Sequence, residues 1–368
     1  MTRLRVLIIT DELEIGGTQR QIASLVKVLP SHGVDAGVLF FRHRSHLADE
    51  IEASGCPVVQ VERRGRLDIG FPWRLARAIR AFRPDVIHAF ALAGEFWTVV
   101  ARLLQRRPPP LVTSIRGRYE WYSTRDWRAK RWISSHSRRV VSNSAAGADY
   151  AVTCGGVRQD QLDIIPNGID LDAFDASARR GWPSGLPTLP GGRVLFVGRF
   201  VDHKNLPCLL RALALLNSRG RPTGAYLVGD GPLREPLNAL AGGMGIGHLL
   251  CWLGERSDVP ALMAGADCVV LPSHREGLSN AILEGMAAAR PIVATAVGGS
   301  VELVSDGVTG ILCPDDDAGR LAEALARVLD DPALARRMGV AGRERIVQDY
   351  SAQALGRQMS GIYKETAR

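Results

Sequence analysis

Glu276 and Glu284, with seven residues between them, stand in the segment PSHREGLSNAILEGMAAARP. Glu276 closes a loop after the apolar run ADCVVLP, and Gly277-Leu278-Ser279-Asn280 then open a helix that carries Glu284 one to two turns down. A helix start leaves backbone N–H groups unpaired and carries partial positive charge, which suits a phosphate. Carboxylates beside an anion site are useful when they accept hydrogen bonds from hydroxyl groups. Together these features fit a sugar joined to a nucleotide through a diphosphate. Two solvated glutamates on a surface helix would show the same spacing, so the neighbouring motifs decide between the readings.

In RVLFVGRFVDHKN a strand (Arg193–Gly198) leads through a short turn to a helix from Asn205, and Arg199 and Lys204 flank the turn. Of the 46 lysines and arginines only four are lysines, Lys27, Lys130, Lys204 and Lys364. A lysine here, in a chain otherwise built with arginine, points to a compact point charge rather than a planar fork. Such cations stabilise a diphosphate leaving group as negative charge builds on its oxygens. Gly16-Gly17-Thr18-Gln19, between the first strand and the first helix, offers bare backbone for close approach by donor phosphate or acceptor. It lacks the GxGxxG pattern of dinucleotide binding, which weighs against a nicotinamide-dependent dehydrogenase. Val228-Gly229-Asp230-Gly231 reads as a tight turn on the nucleotide side.

The segments VGRFVDHKN, LVGDGPLR, SHREGLSNAILEGMAAARPIVATAVGGSVELVSDGVTGIL and IIPNGID together resemble retaining glycosyltransferases of family 4, which have the GT-B fold. The resemblance covers nearly the whole chain and is strongest from Ile164 to Leu312. It implies transfer of a glycosyl group from a nucleotide diphosphate sugar, UDP- or GDP-linked, to an acceptor hydroxyl with retention at the anomeric carbon. The nucleotide sugar is a substrate, and neither a cofactor nor a metal is called for. In the implied front-face route the leaving diphosphate takes the acceptor's proton, so the enzyme supplies placement and charge stabilisation. On that account Arg199 and Lys204 hold the diphosphate, with the amides of Gly277, Leu278, Ser279 and Asn280. Glu276 bonds sugar hydroxyls near the reacting carbon, and Glu284 grips the ribose. Gly254 and Arg256 lie near the base, and Gly298-Gly299 give further backbone approach. Asp315-Asp316-Asp317 precedes the helix GRLAEALARVL and reads as a helix cap rather than a metal site.

One departure stands out. Many relatives carry a histidine in a loop written roughly T-V-H-G, and Arg116 occupies that place in Thr113-Ser114-Ile115-Arg116-Gly117. Arginine is no general base at neutral pH, although it binds anions and sugar hydroxyls. His88 is the nearest alternative on the acceptor side. Arg116 also motivates the alternative function, a donor-binding but catalytically silent homologue acting as a regulatory or scaffold partner. From Arg116 to Arg139, eight basic residues, Arg118 among them, interleave with Tyr119, Trp121, Tyr122, Trp127 and Trp132. That mixture suits an anionic membrane surface, a nucleic acid or an arginine-lined acceptor pocket. The membrane reading is preferred and nucleic acid is disfavoured, with a lipid-linked or polysaccharide-precursor acceptor bound near Arg118 and Trp121.

These residues need a scaffold that brings loop ends together. The chain of 368 residues, 46% hydrophobic, is long enough for two cored domains. Short apolar runs alternate with amphipathic helices, the pattern of doubly wound α/β domains. The first half holds LRVLIIT, DAGVLFF, CPVVQV, DVIHAF, PLVTSI, RRVVSN and LDIIPN, and the second RVLFVG, GAYLVG, HLLCWLG, ADCVVLP and PIVATA. Residues 1–180 form an acceptor-binding domain, 181–192 a Pro/Gly-rich linker, 193–349 a donor-binding domain, and 350–368 a helix that returns to the first domain. Ligands of such sheets bind beyond the carboxyl ends of the strands, so all the motifs should face one cleft. All the net charge of +8 lies in residues 1–180, which hold 27 basic and 19 acidic side chains, whereas 181–368 hold 19 of each. Six scattered cysteines lack metal-ligand spacing and read as reduced thiols. The start of the chain does not read as a signal peptide, and no run nears the roughly 20 apolar residues of a membrane span. The expectation is a cytoplasmic protein, peripheral to the inner face of the plasma membrane.

Overall fold

A computed structural model describes residues 3–14, 16–65, 67–117 and 122–368. They form two compact units, one running to Gly168 and completed by Ala352–Arg368, the other Ile169–Ser351. The first contains a seven-stranded parallel sheet of β1 (Leu4–Ile9), β2 (Val34–Phe40), β3 (Val58–Gln60), β4 (Val86–Ala89), β5 (Leu111–Ile115), β6 (Arg139–Ser142) and β7 (Leu162–Ile164), in the order β3-β2-β1-β4-β5-β6-β7. Strand side chains alternate between faces, so Val6 and Ile8 enter one core while Leu7 and Ile9 enter the other. Both faces are covered by helices, which is why the strands read as continuous apolar runs.

The second unit holds a six-stranded parallel sheet of β8 (Val194–Val197), β9 (Ala225–Val228), β10 (Leu250–Gly254), β11 (Cys268–Leu271), β12 (Ile292–Thr295) and β13 (Gly310–Cys313), in the order β10-β9-β8-β11-β12-β13. Twelve strands match the apolar runs read from sequence. The thirteenth, β13, is a four-residue edge strand beside β12.

Helix Ala352–Ala367 packs Leu355, Met359 and Tyr363, spaced at i, i+4 and i+8, into the core of the first unit. The passage between units falls at Gly168–Ile169 rather than after residue 180. Helix Leu171–Ala178 puts Phe174 into the core of the second unit, and Arg343 holds Asp175 with two hydrogen bonds of 3.0 and 2.6 Å. The expected linker is also anchored there. Tyr226 donates its hydroxyl to the Pro187 carbonyl at 2.6 Å and meets the Trp182 ring edge-on at 4.9 Å.

Candidate functional site

In the six-stranded sheet the direction of winding reverses between β8 and β11. Loops leaving such a switch point diverge and leave a crevice for a ligand. The loop after β8 carries Arg199 and Lys204, and the loop after β11 carries Glu276. Their side chains meet: the Lys204 ammonium donates to Glu276 Oε1 at 2.5 Å, and Ser273 Oγ donates to the same oxygen at 2.6 Å. Both partners are largely shielded, with side chains 15% and 8% exposed. Arg199 is exposed and makes no ion pair among the described residues. A short 3-10 turn, Asp202–Lys204, positions Lys204, and Asn205 ends it in the left-handed conformation while capping helix Leu206–Ser218.

Glycines hold these loops together. Gly229 has φ +122°, and a Cβ there would lie 2.0 Å from the Gly198 carbonyl oxygen; one on Gly231 would lie 2.5 Å from that of Phe200. On the other side of the crevice, Gly298 has φ +46° and a Cβ would come within 2.0 Å of the Glu276 carbonyl oxygen. Gly299 donates its N–H to that oxygen at 3.2 Å. Gly298 and Gly299 therefore serve the backbone of Glu276 and Gly277.

The helix after Glu276 begins later than its sequence pattern implies. It spans Asn280–Ala287, with Ser279 as its buried cap accepting the Ile282 N–H at 3.5 Å, so Gly277 and Leu278 belong to the loop. Glu284 is its fifth residue and half-buried. Gly254 ends β10 at φ +65°, and the Arg256 guanidinium is forked onto Asp258 at 2.7 and 2.6 Å. The three aspartates part company: Asp315 bonds His274 at 2.8 Å, Asp316 takes Asn205 at 3.1 Å and Arg211, and Asp317 caps helix Ala318–Asp330.

In the first unit the winding reverses between β1 and β4. Gly16 caps helix Gly17–Val28 in an extended conformation, and a Cβ there would meet only the tip of the Gln19 side chain. Internal packing does not demand that glycine. His88, expected on the acceptor side, is fully buried. Its Nδ1 is 2.7 Å from the Tyr363 hydroxyl and its Nε2 is 2.8 Å from Ser114 Oγ, so both ring nitrogens are engaged inside the fold. Burial, and secondarily Arg116, hold its pKa well below the usual range.

Arg116 lies just beyond β5, donating to Asn167 Oδ1 at 3.0 Å with its guanidinium 5.0 Å from the centre of the Phe90 ring. Behind it lies a feature that sequence reasoning missed. Lys130 and Glu95 form a buried ion pair, and both grip Ser114: Lys130 donates to its carbonyl at 2.9 Å, and its N–H donates to Glu95 Oε1 at 2.9 Å. Burial raises the Glu95 pKa, opposed by Lys130. The scarcity of lysine was the available signal. Gln21 was missed as well; its amide pairs with the Gly168 backbone at 3.0 and 2.9 Å, fixing the end of the first unit.

Within 116–139 the described tryptophans are half-buried against other rings. Trp127 packs between Tyr122 and Tyr150, Trp132 packs on Phe96 and His136, and Arg139 pairs with Asp163. Arg118 and Trp121 lie outside the described residues.

Residues 190–345 match the model of the glycosyl transferases group 1, and residues 15–173 that of Glycosyltransferase Family 4. Glycogen synthase of Mycobacterium tuberculosis is 30% identical over 78% of this chain and 70% of its own. A lipopolysaccharide core biosynthesis glycosyltransferase of Rhizobium meliloti is 26% identical over 92% of this chain and 93% of its own. Among solved structures, Anabaena HepE in complex with UDP superposes with a TM-score of 0.85 at 21% identity, covering 98% of this chain and all of that one. The shared fold is GT-B, built on two Rossmann-like α/β domains.

Proposed function

The chain belongs to glycosyltransferase family 4, and from that premise we propose that it moves a sugar, with retention, from a nucleotide diphosphate sugar to the hydroxyl of a lipid-linked or cell-surface polysaccharide precursor. The observation that carries the reading is the Lys204–Glu276 pair at the switch point of the second sheet. An ammonium has three N–H donors; Glu276 takes one, leaving two for diphosphate oxygens. Arg199, exposed on the same loop, adds a fork for the same group. Glu276 is then held beside the phosphates, where its second oxygen accepts from sugar hydroxyls, and Glu284 accepts from the ribose.

In the reaction the bond from the anomeric carbon to the phosphate oxygen breaks. The acceptor oxygen bonds that carbon on the same face, and its proton passes to the departing phosphate. Lys204 and Arg199 stabilise the charge that develops on the diphosphate. Arg116 positions acceptor or donor oxygens by hydrogen bonding and does not serve as a base. A UDP- or GDP-linked donor is favoured, UDP being supported by the likeness in fold to the Anabaena protein. The likeness to the Rhizobium protein supports a lipid-linked acceptor. Among the described residues no helix is long and apolar enough to cross a membrane, so the lipid would be met from the surface. NMR of the product tests the mechanism: the donor's anomeric configuration is expected, and an inverted centre would overturn it.

A further inference from the structure

Among the described residues, the first unit exposes large apolar side chains between β3 and the helix that follows it. In the loop between β3 and helix Phe71–Phe82, Leu67 and Ile69 are 92% and 84% exposed, and Trp73, in the first turn of that helix, is 60% exposed. The loop is built to hold them out. Asp68, between the two, turns inward, accepting the Arg64 N–H at 2.6 Å and Arg74 at 2.5 Å, and Arg74 pulls its pKa down to about 2. The Ile69 N–H donates to the Leu67 carbonyl at 2.9 Å, closing the turn. With the middle residue tied in, its neighbours project outward.

Around them the charge is one-sided. Residues 60–84 hold seven arginines against Glu62 and Asp68, and Asp68 is spent on Arg74. The solvent face of helix Phe71–Phe82 carries Trp73, Arg77 and Arg80 at i, i+4 and i+7; these arginines and Arg64 make no ion pair among the described residues. Leucine and isoleucine at a tip, tryptophan behind them and unpaired arginines alongside match a layered interface of acyl chains, headgroups and anionic phosphates.

We propose that this loop and helix face dock the protein on an anionic lipid surface, Leu67 and Ile69 entering the acyl boundary while Arg64, Arg77 and Arg80 meet headgroup phosphates. The inference deepens the lipid-linked acceptor reading and rests on it for its purpose. The loop leaves the carboxyl end of β3, on the same edge of the parallel sheet as Gly16 after β1 and Arg116 after β5. Docking would therefore bring the bilayer to the acceptor-side edge.

The test is sedimentation of the full chain with phosphatidylglycerol/phosphatidylcholine vesicles and with phosphatidylcholine alone, at low and high salt. Wild type should partition onto the anionic vesicles and be released by salt. Leu67→Ser/Ile69→Ser and Arg77→Glu/Arg80→Glu should each partition more than about tenfold more weakly, with thermal melting and UDP affinity unchanged. No partition by wild type, or variants that partition equally well, would overturn the proposal. Loss of UDP binding with partition intact would count against the donor reading alone.

Discussion

Lys204 and Glu276, which leave neighbouring strands 72 residues apart in sequence, share a 2.5 Å hydrogen bond that joins the loop after β8 to the loop after β11. Glu276→Gln keeps the shape and removes the charge. Transfer should fall by about 100-fold or more, because contacts near the reacting carbon count most in the transition state. Affinity for free nucleotide should stay within a few-fold. Comparing kcat with the nucleotide Kd checks this, and an equal loss in both would place Glu276 on the nucleotide instead.

Gly229→Ala and Gly298→Ala should each disrupt the site without removing a polar side chain. Both glycines have positive φ, and a Cβ at either would sit 2.0 Å from a carbonyl oxygen of a functional loop. Strain of this kind costs roughly 1–3 kcal/mol before the clash is added. A lowered melting temperature with weakened nucleotide binding is expected, whereas Gly33→Ala, with open space around it, should carry the φ cost alone.

Lys130→Met strands Glu95 in the core. Removing one partner of a buried pair typically costs about 3–5 kcal/mol. Burial already raises the Glu95 pKa, and without the cation the carboxyl should protonate more readily. A raised folded pKa favours the protonated state, so the variant's deficit should shrink as pH falls and grow as pH rises. Chemical denaturation at pH 5.5 and 8 measures it, and Lys130→Met/Glu95→Gln should recover much of the loss.

His88 has the opposite sign. Its folded pKa is depressed by burial, so above the unfolded value of about 6.5 the contribution is fully present. As pH falls below that value the unfolded chain takes up a proton that the fold refuses. Stability should drop by up to about 1.4 kcal/mol per pH unit from this group, and His88→Gln should flatten that dependence in denaturation curves taken from pH 7.5 to 5.

Much of this was legible in sequence because a short apolar run between amphipathic helices can bury its side chains on both faces only as an inner strand of a covered sheet. Twelve strands and the loop positions of Arg199, Lys204 and Glu276 follow from period and punctuation alone. Burial of polar groups was harder to read. His88, Lys130 and Trp127 look like surface chemistry in one dimension, yet they are packed because partners distant in the chain, Tyr363, Glu95 and Tyr150, meet them. Leu67 and Ile69 carry no signal in the sequence pattern, and they stand in solvent because Asp68 turns in. The boundary near residue 168 was hidden because the Pro/Gly-rich stretch that marked a linker is anchored by Tyr226 and Trp182.

Whether the Lys204–Glu276 crevice binds the diphosphate of a nucleotide sugar is settled by calorimetric titration of UDP, GDP and ADP into wild type and Lys204→Ala. One of the three should bind selectively, and the variant should lose at least about tenfold in affinity, the equivalent of one charge-assisted hydrogen bond. Binding of none of them, or equal binding by the variant, would contradict the diphosphate reading.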